Sequence, residues 1–432
     1  MNEYNIQMKQ KYRKVLFISF LLIFFVLAPV LIFRSQGYRF DFQNKKIIQT
    51  GGFYIDVLPK QTSIYLDDNF SRKTDFFFNS VLIENLLPKK YNVKITKEDH
   101  ATWEKNLEIT EKEVTEAKNI ILFPQDFDFT IISEEIKNFW VSPSEEKIIW
   151  KEVTNNTWSL KLYDLKKELR SHLIDEDEIS RNNVDLIDLD FSQDGETIYL
   201  EVIASEQLKN YSLDIDKDYS SLKETDKPQI QESIITYQSF YGENYYLDNG
   251  GNLHKTKEDL NKQTITNKEK INDASFPLKK ETLYQLYIFP NFIFLKENSF
   301  VYLFNTETKS FEKFSENIKD FKISPDLKTI AYFFDTEIWI LPIEKTKLYE
   351  AGKSVFLVRF SKSIQNIFWI NSNYIVFNTE NSIKISEIDT RDRLNIINIE
   401  EFQPSKIFWS PISKRIYNLT EETLWQSKKL IP

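Results

Sequence analysis

The chain has 432 residues, 41% hydrophobic and 15% aromatic, enough to build more than one sizeable core. Its formal net charge is −9 with both signs mixed along the sequence, which argues against the basic stripe of a nucleic-acid binder. It has no cysteine, which excludes disulfides, a thiol nucleophile and cysteine-ligated zinc.

The first element is VLFISFLLIFFVLAPVLIF, residues 15–33, which carries no charge. At about 1.5 Å per residue it reaches about 28 Å, the thickness of a bilayer core. Pro29 near its end is tolerated in a membrane helix. The apolar stretch is too long for a signal-peptide core and no small-x-small cleavage site follows, so a retained transmembrane anchor is predicted. Lys9, Lys11, Arg13 and Lys14 precede it and Arg34, Arg39, Lys45 and Lys46 follow, a near tie in positive charge. The short charged tail 1–14 is placed in the cytoplasm because it has no export signal of its own. The bulk of the chain is then extracytoplasmic on a single-pass helix in the cell membrane. Residues 34–51 read as a juxtamembrane linker.

A small all-β unit is predicted over 52–123. Phe53, Ile55 and Val57 alternate, and residues 63–66 lead to a turn at Asp67-Asp68-Asn69. Val81 and Ile83, then Tyr91, Val93 and Ile95, then Trp103, Leu107 and Ile109 continue the pattern, and 114–123 closes it. Short alternating strands with frequent turns predict a β-sandwich.

From 124 to 432 one figure recurs. In FKISPDLKTIAYFFDTEIWIL, residues 321–341, two apolar runs flank a Ser-Pro-Asp turn and a third follows Asp335-Thr336-Glu337. FWVSPSEEKIIW at 139–150, LDFSQDGETIYL at 189–200 and IFWSPISKRIYN at 407–418 repeat it, and IFWINSNYIVF at 367–377 shortens the turn. The serines Ser142, Ser192, Ser324 and Ser410 are separated by 50, 132 and 86 residues, the last two being three steps of 44 and two of 43. Such a period predicts a propeller with four strands per blade. Weaker units starting at Ser233 and Leu286 fill the gap, giving about seven blades from Ile136 onward. Third strands are expected at 158–162, 211–215, 338–341, 383–388 and 424–427. The last unit is one strand short, and 127–132 is predicted to supply it and close the ring.

Two stretches carry a resemblance. FYIDVLPKQTSIYLDD followed by IENLLPKKYNVKITKEDHATWEKNLEI resembles a PEGA domain. Leu58-Pro59-Lys60-Gln61-Thr62 stands at the Pro-Glu-Gly-Ala position and Leu87-Pro88-Lys89-Lys90-Tyr91-Asn92-Val93 at the family's later turn. Gln61, Asp68 and Lys90 occupy places where the family favours Gly. The Ser-Pro-Asp turns resemble those of TolB-type or WD-like repeats. Anchor, PEGA-like sandwich and propeller in that order resemble bacterial cell-surface proteins, which implies an envelope or binding role.

Motifs for chemistry are few. His100, His172 and His254 show no metal-ligand spacing, no Gly-x-Ser-x-Gly occurs, and eight glycines provide no phosphate-cradling loop. Gly242, Gly250 and Gly251 read as hairpin turns. Asp214-Ile215-Asp216-Lys217-Asp218 opens like a calcium loop but has Tyr219 at the sixth place and Thr225 at the twelfth, so a solvated turn is expected. Asp175-Glu176-Asp177-Glu178 reads as an exposed mobile loop. Trp140, Trp150, Trp369 and Trp409 sit on strands, and the equivalence of Trp140, Trp369 and Trp409 just before the turn favours blade packing over sugar stacking. No catalytic, cofactor-binding or metal residue is assigned and no cofactor is expected. The preferred function is a membrane-anchored binding or scaffold protein whose propeller meets an envelope protein or polysaccharide partner. The alternative is a propeller hydrolase or lyase acting on glycan, which needs carboxylates converging at about 5–10 Å.

Overall fold

The computed structural model describes residues 10–42, 45–180, 184–192, 194–215, 222–225, 233–260, 264–400 and 406–431. Outside one long helix the chain is almost entirely β, and it divides into two compact units.

Unit 1 opens with the helix Gln10–Ser35, of which Tyr12–Ser35 is long and apolar enough to cross a membrane. Among the described residues its large apolar side chains are left exposed, apart from an edge-to-face contact of Phe33 with Tyr38. The stretch read as a linker holds a two-stranded antiparallel ribbon, Tyr38–Asp41 with Lys46–Gln49. Its base is tied by the Thr50 amide donating to the Gly37 carbonyl at 2.9 Å.

The sandwich follows. One sheet has Gly51–Leu58 at its centre, antiparallel to Ser80–Leu86 and parallel to Val114–Ile121. The other runs Asn69–Lys73, Ser63–Leu66, Lys90–Thr96, Trp103–Glu108. Alternation sends Phe53, Ile55 and Val57 from the first sheet, and Ile64, Val93 and Ile95 from the second, into one core where each is fully buried. Each such side chain contributes about 1.5–3 kcal/mol. The tight turn at Asp67 and Asp68 has φ of 50° and 60° at its two residues. The Asp67 carboxylate accepts from Lys89 Nζ at 2.6 Å and from the Asn92 amide at 2.9 Å. The lysine bond above all holds its carboxyl below the ordinary range. Residues Arg391–Asn395 also cluster with this unit. The fully buried Lys105 donates its ammonium to the Arg391 carbonyl at 2.8 Å, so the charge is not left bare.

Unit 2 is a propeller. Among the described residues it contains seven four-stranded antiparallel sheets. Their first strands are Ile136–Val141, Val184–Phe191, Ile234–Phe240, Tyr284–Phe289, Asp320–Ile323, Ile364–Asn371 and Lys406–Ser410, which we number blades 1 to 7. The expected third strands 158–162, 338–341 and 424–427 lie within third strands, 211–215 and 383–388 overrun theirs by one residue, and the weak units at Ser233 and Leu286 are blades 3 and 4. The ring closes as expected: Phe129–Ser133 pairs antiparallel with Thr423–Ser427 and becomes the outermost strand of blade 7.

The recurring serine explains why these hairpins form. In blade 5 the Ser324 amide donates to the Thr329 carbonyl at 2.8 Å, and Ser324 Oγ accepts from the Thr329 amide at 3.0 Å. The same hydroxyl donates to Asp326 Oδ1 at 2.6 Å. Ser142 and Ser192 accept from the Lys147 and Thr197 amides at 3.0 and 2.9 Å. In blade 7, Ser410 accepts from the Ser413 amide instead, at 3.1 Å. The turn ends on a left-handed residue, Glu145, Gly195, Leu327 or Lys414, with φ between 57° and 72°. Ser324 is 1% exposed, so its lost bonds are not replaced by water. Ser324→Ala is expected to cost about 1–2 kcal/mol, read as a lowered urea midpoint at unchanged slope. An unmoved midpoint contradicts the role of the hydroxyl.

Candidate functional site

First strands of blades 3 and 4, 5 and 6, and 6 and 7 touch, which places the first strands on the propeller axis. Several bonds join them directly. The Leu286 and Ile288 amides of blade 4 donate to Thr236 Oγ1 and Gln238 Oε1 of blade 3 at 3.2 and 2.8 Å. Trp369 Nε1 of blade 6 donates to the Lys322 carbonyl of blade 5 at 2.9 Å.

At this axis lies a cavity of about 530 Å³. Its walls come from the first strands of blades 1, 2, 6 and 7: half-buried Trp140, Phe191 and Phe368 supply aromatic surface, with Phe139 and Phe408 packed behind them in the core. Ser142, Pro143 and Glu145 bring the blade 1 turn to its rim. Three charged side chains share the lining, Glu145, Asp190 and Lys406.

Lys406 is held rather than free. Its ammonium donates to the Phe139 carbonyl at 2.5 Å and to Asn138 Oδ1 at 3.1 Å, and lies 4.7 Å from the centre of the Phe139 ring. Burial pushes its pKa down. Glu145 keeps contact with solvent, but the surrounding walls displace enough water to raise its pKa, with Lys322 of blade 5 pulling the other way. A carboxyl that stays protonated to higher pH has the property of a general acid. Aromatic walls with a few fixed polar groups are the make-up of a pocket for a ligand or a segment of polymer.

The lowered Lys406 has a signed consequence. Between its folded pKa and the ordinary lysine value near about 10.4, the unfolded chain binds more protons, so this residue makes stability rise with pH. Lys406→Met is expected to remove that contribution. Melting temperatures of the two proteins, followed from neutral pH to about pH 10, then differ in slope. Parallel curves contradict a desolvated ammonium.

The tryptophans separate. Trp140, Trp369 and Trp409 face Ile149, Ile375 and Ile416 on their second strands, so they are equivalent positions. Trp369 and Trp409 are packed away at 7% and 2% exposure, as is Trp150 on its second strand, whereas half-buried Trp140 lines the cavity. Lys406, Glu145 and Asp190 were not singled out in the sequence. Their signal was positional: Glu145 ends the serine turn, and Asp190 and Lys406 lie on first strands.

The other candidates lie apart. His100 sits on an isolated bridge to Pro124 in unit 1. His254 is buried on blade 3, 2.8 Å from Asp248 and stacked on Tyr246. Gly242 and Gly250–251 occupy the two hairpin turns of blade 3. The acidic run is not a mobile loop. Glu176–Ile179 forms a short helix, and buried Glu176 accepts from the Trp158 amide at 2.9 Å. His172, Asp175 and Glu178 bring possible ligand atoms within 4.8 Å of one another, all exposed. Of the calcium-like stretch, Asp216, Lys217, Asp218 and Tyr219 lie outside the described residues.

No family model and no curated protein matches the chain. Similar solved structures include the Swd1 β-propeller domain of Myceliophteria thermophila, at 10% identity over 71% of this chain and 99% of that one, TM-score 0.41. A chain of the mitotic checkpoint complex matches at 10% identity over 71% and 94%, TM-score 0.41. A catalytically inactive virginiamycin B lyase from Staphylococcus aureus, solved with quinupristin, matches at 12% identity over 70% and 99%, TM-score 0.41.

Proposed function

We propose that this chain is a membrane-anchored binding or scaffold protein of the cell envelope. Its helix is retained as a single-pass anchor, 52–123 acts as a spacer, and 124–432 presents the axial cavity on the extracytoplasmic side. The observation that carries this reading is the convergence of four blades on one aromatic-walled cavity containing a held ammonium and two carboxylates. That lining suits a glycan or peptide segment, whose flat apolar faces stack on the rings while its hydroxyls or amides meet the charges.

The PEGA resemblance of the spacer gains support from its backbone. Gln61 and Asp68 stand where the family favours Gly and have φ of 61° and 60°, the left-handed region glycine enters freely. Lys90 is not among the positive-φ residues.

A second reading, glycan hydrolysis or elimination, is favoured by one observation. Glu145, with its raised pKa, shares the cavity with Asp190. Cosedimentation of the full chain in detergent with purified envelope polysaccharide, followed by assay of the supernatant for released sugar, separates the two. Retention without release is expected. Release that depends on Glu145 overturns the scaffold reading in favour of the enzyme, and absence of retention removes glycan as the partner.

A further inference from the structure

The exposed phenylalanines are distributed unevenly. Outside the helix, among the described residues, Phe40, Phe42, Phe70, Phe76, Phe77 and Phe78 are exposed in unit 1, against Phe356 alone in the much larger unit 2. Three of them are consecutive, at 69%, 76% and 66% exposure. A soluble surface scatters its apolar side chains singly, so such a cluster calls for an occupant.

The loop that carries them is built to hold them outward. Asp75 Oδ1 accepts from the Phe77 and Phe78 amides at 2.7 and 2.5 Å, which fixes the backbone beneath the rings. Buried Thr74 anchors one side, its amide donating to the Thr62 carbonyl at 3.0 Å and its hydroxyl accepting from the Thr62 amide at 2.8 Å. On the other side the Val57 amide donates to the Asn79 carbonyl at 3.0 Å. The rings therefore do not fold back onto the sandwich core.

Basic residues accompany the rings. Exposed Arg72 and Lys73 lie between Phe70 and Phe76, and neither joins an ion pair among the described residues. The ribbon after the helix repeats the pairing: Phe40 and Phe42 stack edge to face at 5.1 Å, with exposed Ile47 and with Lys45 and Lys46 beside them. The helix and both protrusions belong to the same unit. Gly51 follows the base of the ribbon, and the Val57 amide near the other end of the strand Gly51–Leu58 bonds Asn79 beside the phenylalanine loop, so the loop lies at the far end of that strand, about 20 Å along it from the base. Phenylalanines for the acyl boundary and lysine or arginine for anionic headgroups, in the same compact unit as a helix long and apolar enough to cross a membrane, match a bilayer interface better than they match a protein groove.

We propose that the loop Phe70–Phe78 docks into the headgroup region of an anionic bilayer, the same membrane that holds the helix, with Arg72 and Lys73 on the lipid phosphates. The proposal rests on the anchor reading above. The chain has no cysteine, so one introduced thiol gives one label.

The test uses the full chain reconstituted in phosphatidylcholine vesicles with and without phosphatidylglycerol. Bimane is attached at Phe77→Cys, at Phe24→Cys in the helix and at Thr308→Cys on the propeller, and quenching is read with nitroxides carried shallow or deep in the lipid. Expected are quenching of the helix label, shallow quenching at position 77 at least about twofold above position 308, and loss of that excess in Arg72→Glu/Lys73→Glu. A quenched helix label with position 77 no different from 308 overturns the docking and leaves the anchor standing. That outcome assigns the rings to a protein partner. An unquenched helix label removes the anchor and the proposal together.

Discussion

Leu424→Asp is expected to abolish cooperative folding of the propeller. Leu424 lies on Thr423–Ser427, the strand bonded on one side to Arg415–Thr420 and on the other to Phe129–Ser133. It is fully buried, in a cluster with Ile132, Ile136, Phe139, Trp150, Phe408 and Tyr417 that joins blade 7 to blade 1. A carboxylate placed there has no cation to pair with in that cluster, and burying one unpaired costs several kcal/mol or shifts its pKa until it is neutral. Against a typical stability of about 5–15 kcal/mol, that loss falls on the contact that closes the ring. Leu424→Met keeps volume and polarity and is expected to cost less than about 1.5 kcal/mol. Circular dichroism melts of the pair test this, and an aspartate variant that melts like the methionine variant contradicts closure as the source of stability.

Gly251→Ala is expected to cost about 3 kcal/mol or more, and Gly242→Ala about 1 kcal/mol. Both glycines have a left-handed backbone, with φ of 75° and 76°. They differ in what a methyl group meets. At Gly242 nothing lies within 4 Å, whereas at Gly251 a Cβ falls 2.0 Å from the Phe276 carbonyl oxygen. That carbonyl cannot move freely. The Phe276 amide donates to the Gly251 carbonyl at 2.7 Å, and the Phe276 ring packs against Tyr284, Tyr302 and Phe311. Comparing the two variants isolates the clash from the backbone strain. Equal losses, or a larger loss at Gly242, contradict it.

The propeller was legible because its hairpins are local. A serine whose hydroxyl and amide bond five residues ahead leaves a mark on the sequence wherever it recurs, and the alternation around it sets strand and register. The closing strand was legible because the last repeat lacked one member and 127–132 had the pattern to supply it. The cavity was not legible, since its walls join residues as far apart as Phe139 and Phe408. Lys406 looked like any lysine before an apolar run, and its burial follows from a carbonyl of blade 1 across the ring closure. Glu176 was hidden for a similar reason: charge ran along Asp175–Glu178, and only strand pairing reveals the Trp158 amide that takes the second of these carboxylates inside. The ribbon at Tyr38–Gln49 was missed because its strands are only four residues long, too short for a pattern of their own to stand out.

The central claim is that the axial cavity is where the partner binds, and retention of cavity variants on that partner tests it most directly. The full chain, Trp140→Ala and Lys406→Met are compared for cosedimentation with envelope polysaccharide, with Thr308→Ala on an outer strand connection as control. A stacking ring is worth about 1–3 kcal/mol, so retention by Trp140→Ala is expected to fall about tenfold, Lys406→Met to follow it, and Thr308→Ala to match the parent. Retention by both cavity variants equal to the parent's contradicts the claim and moves the binding face off the axis.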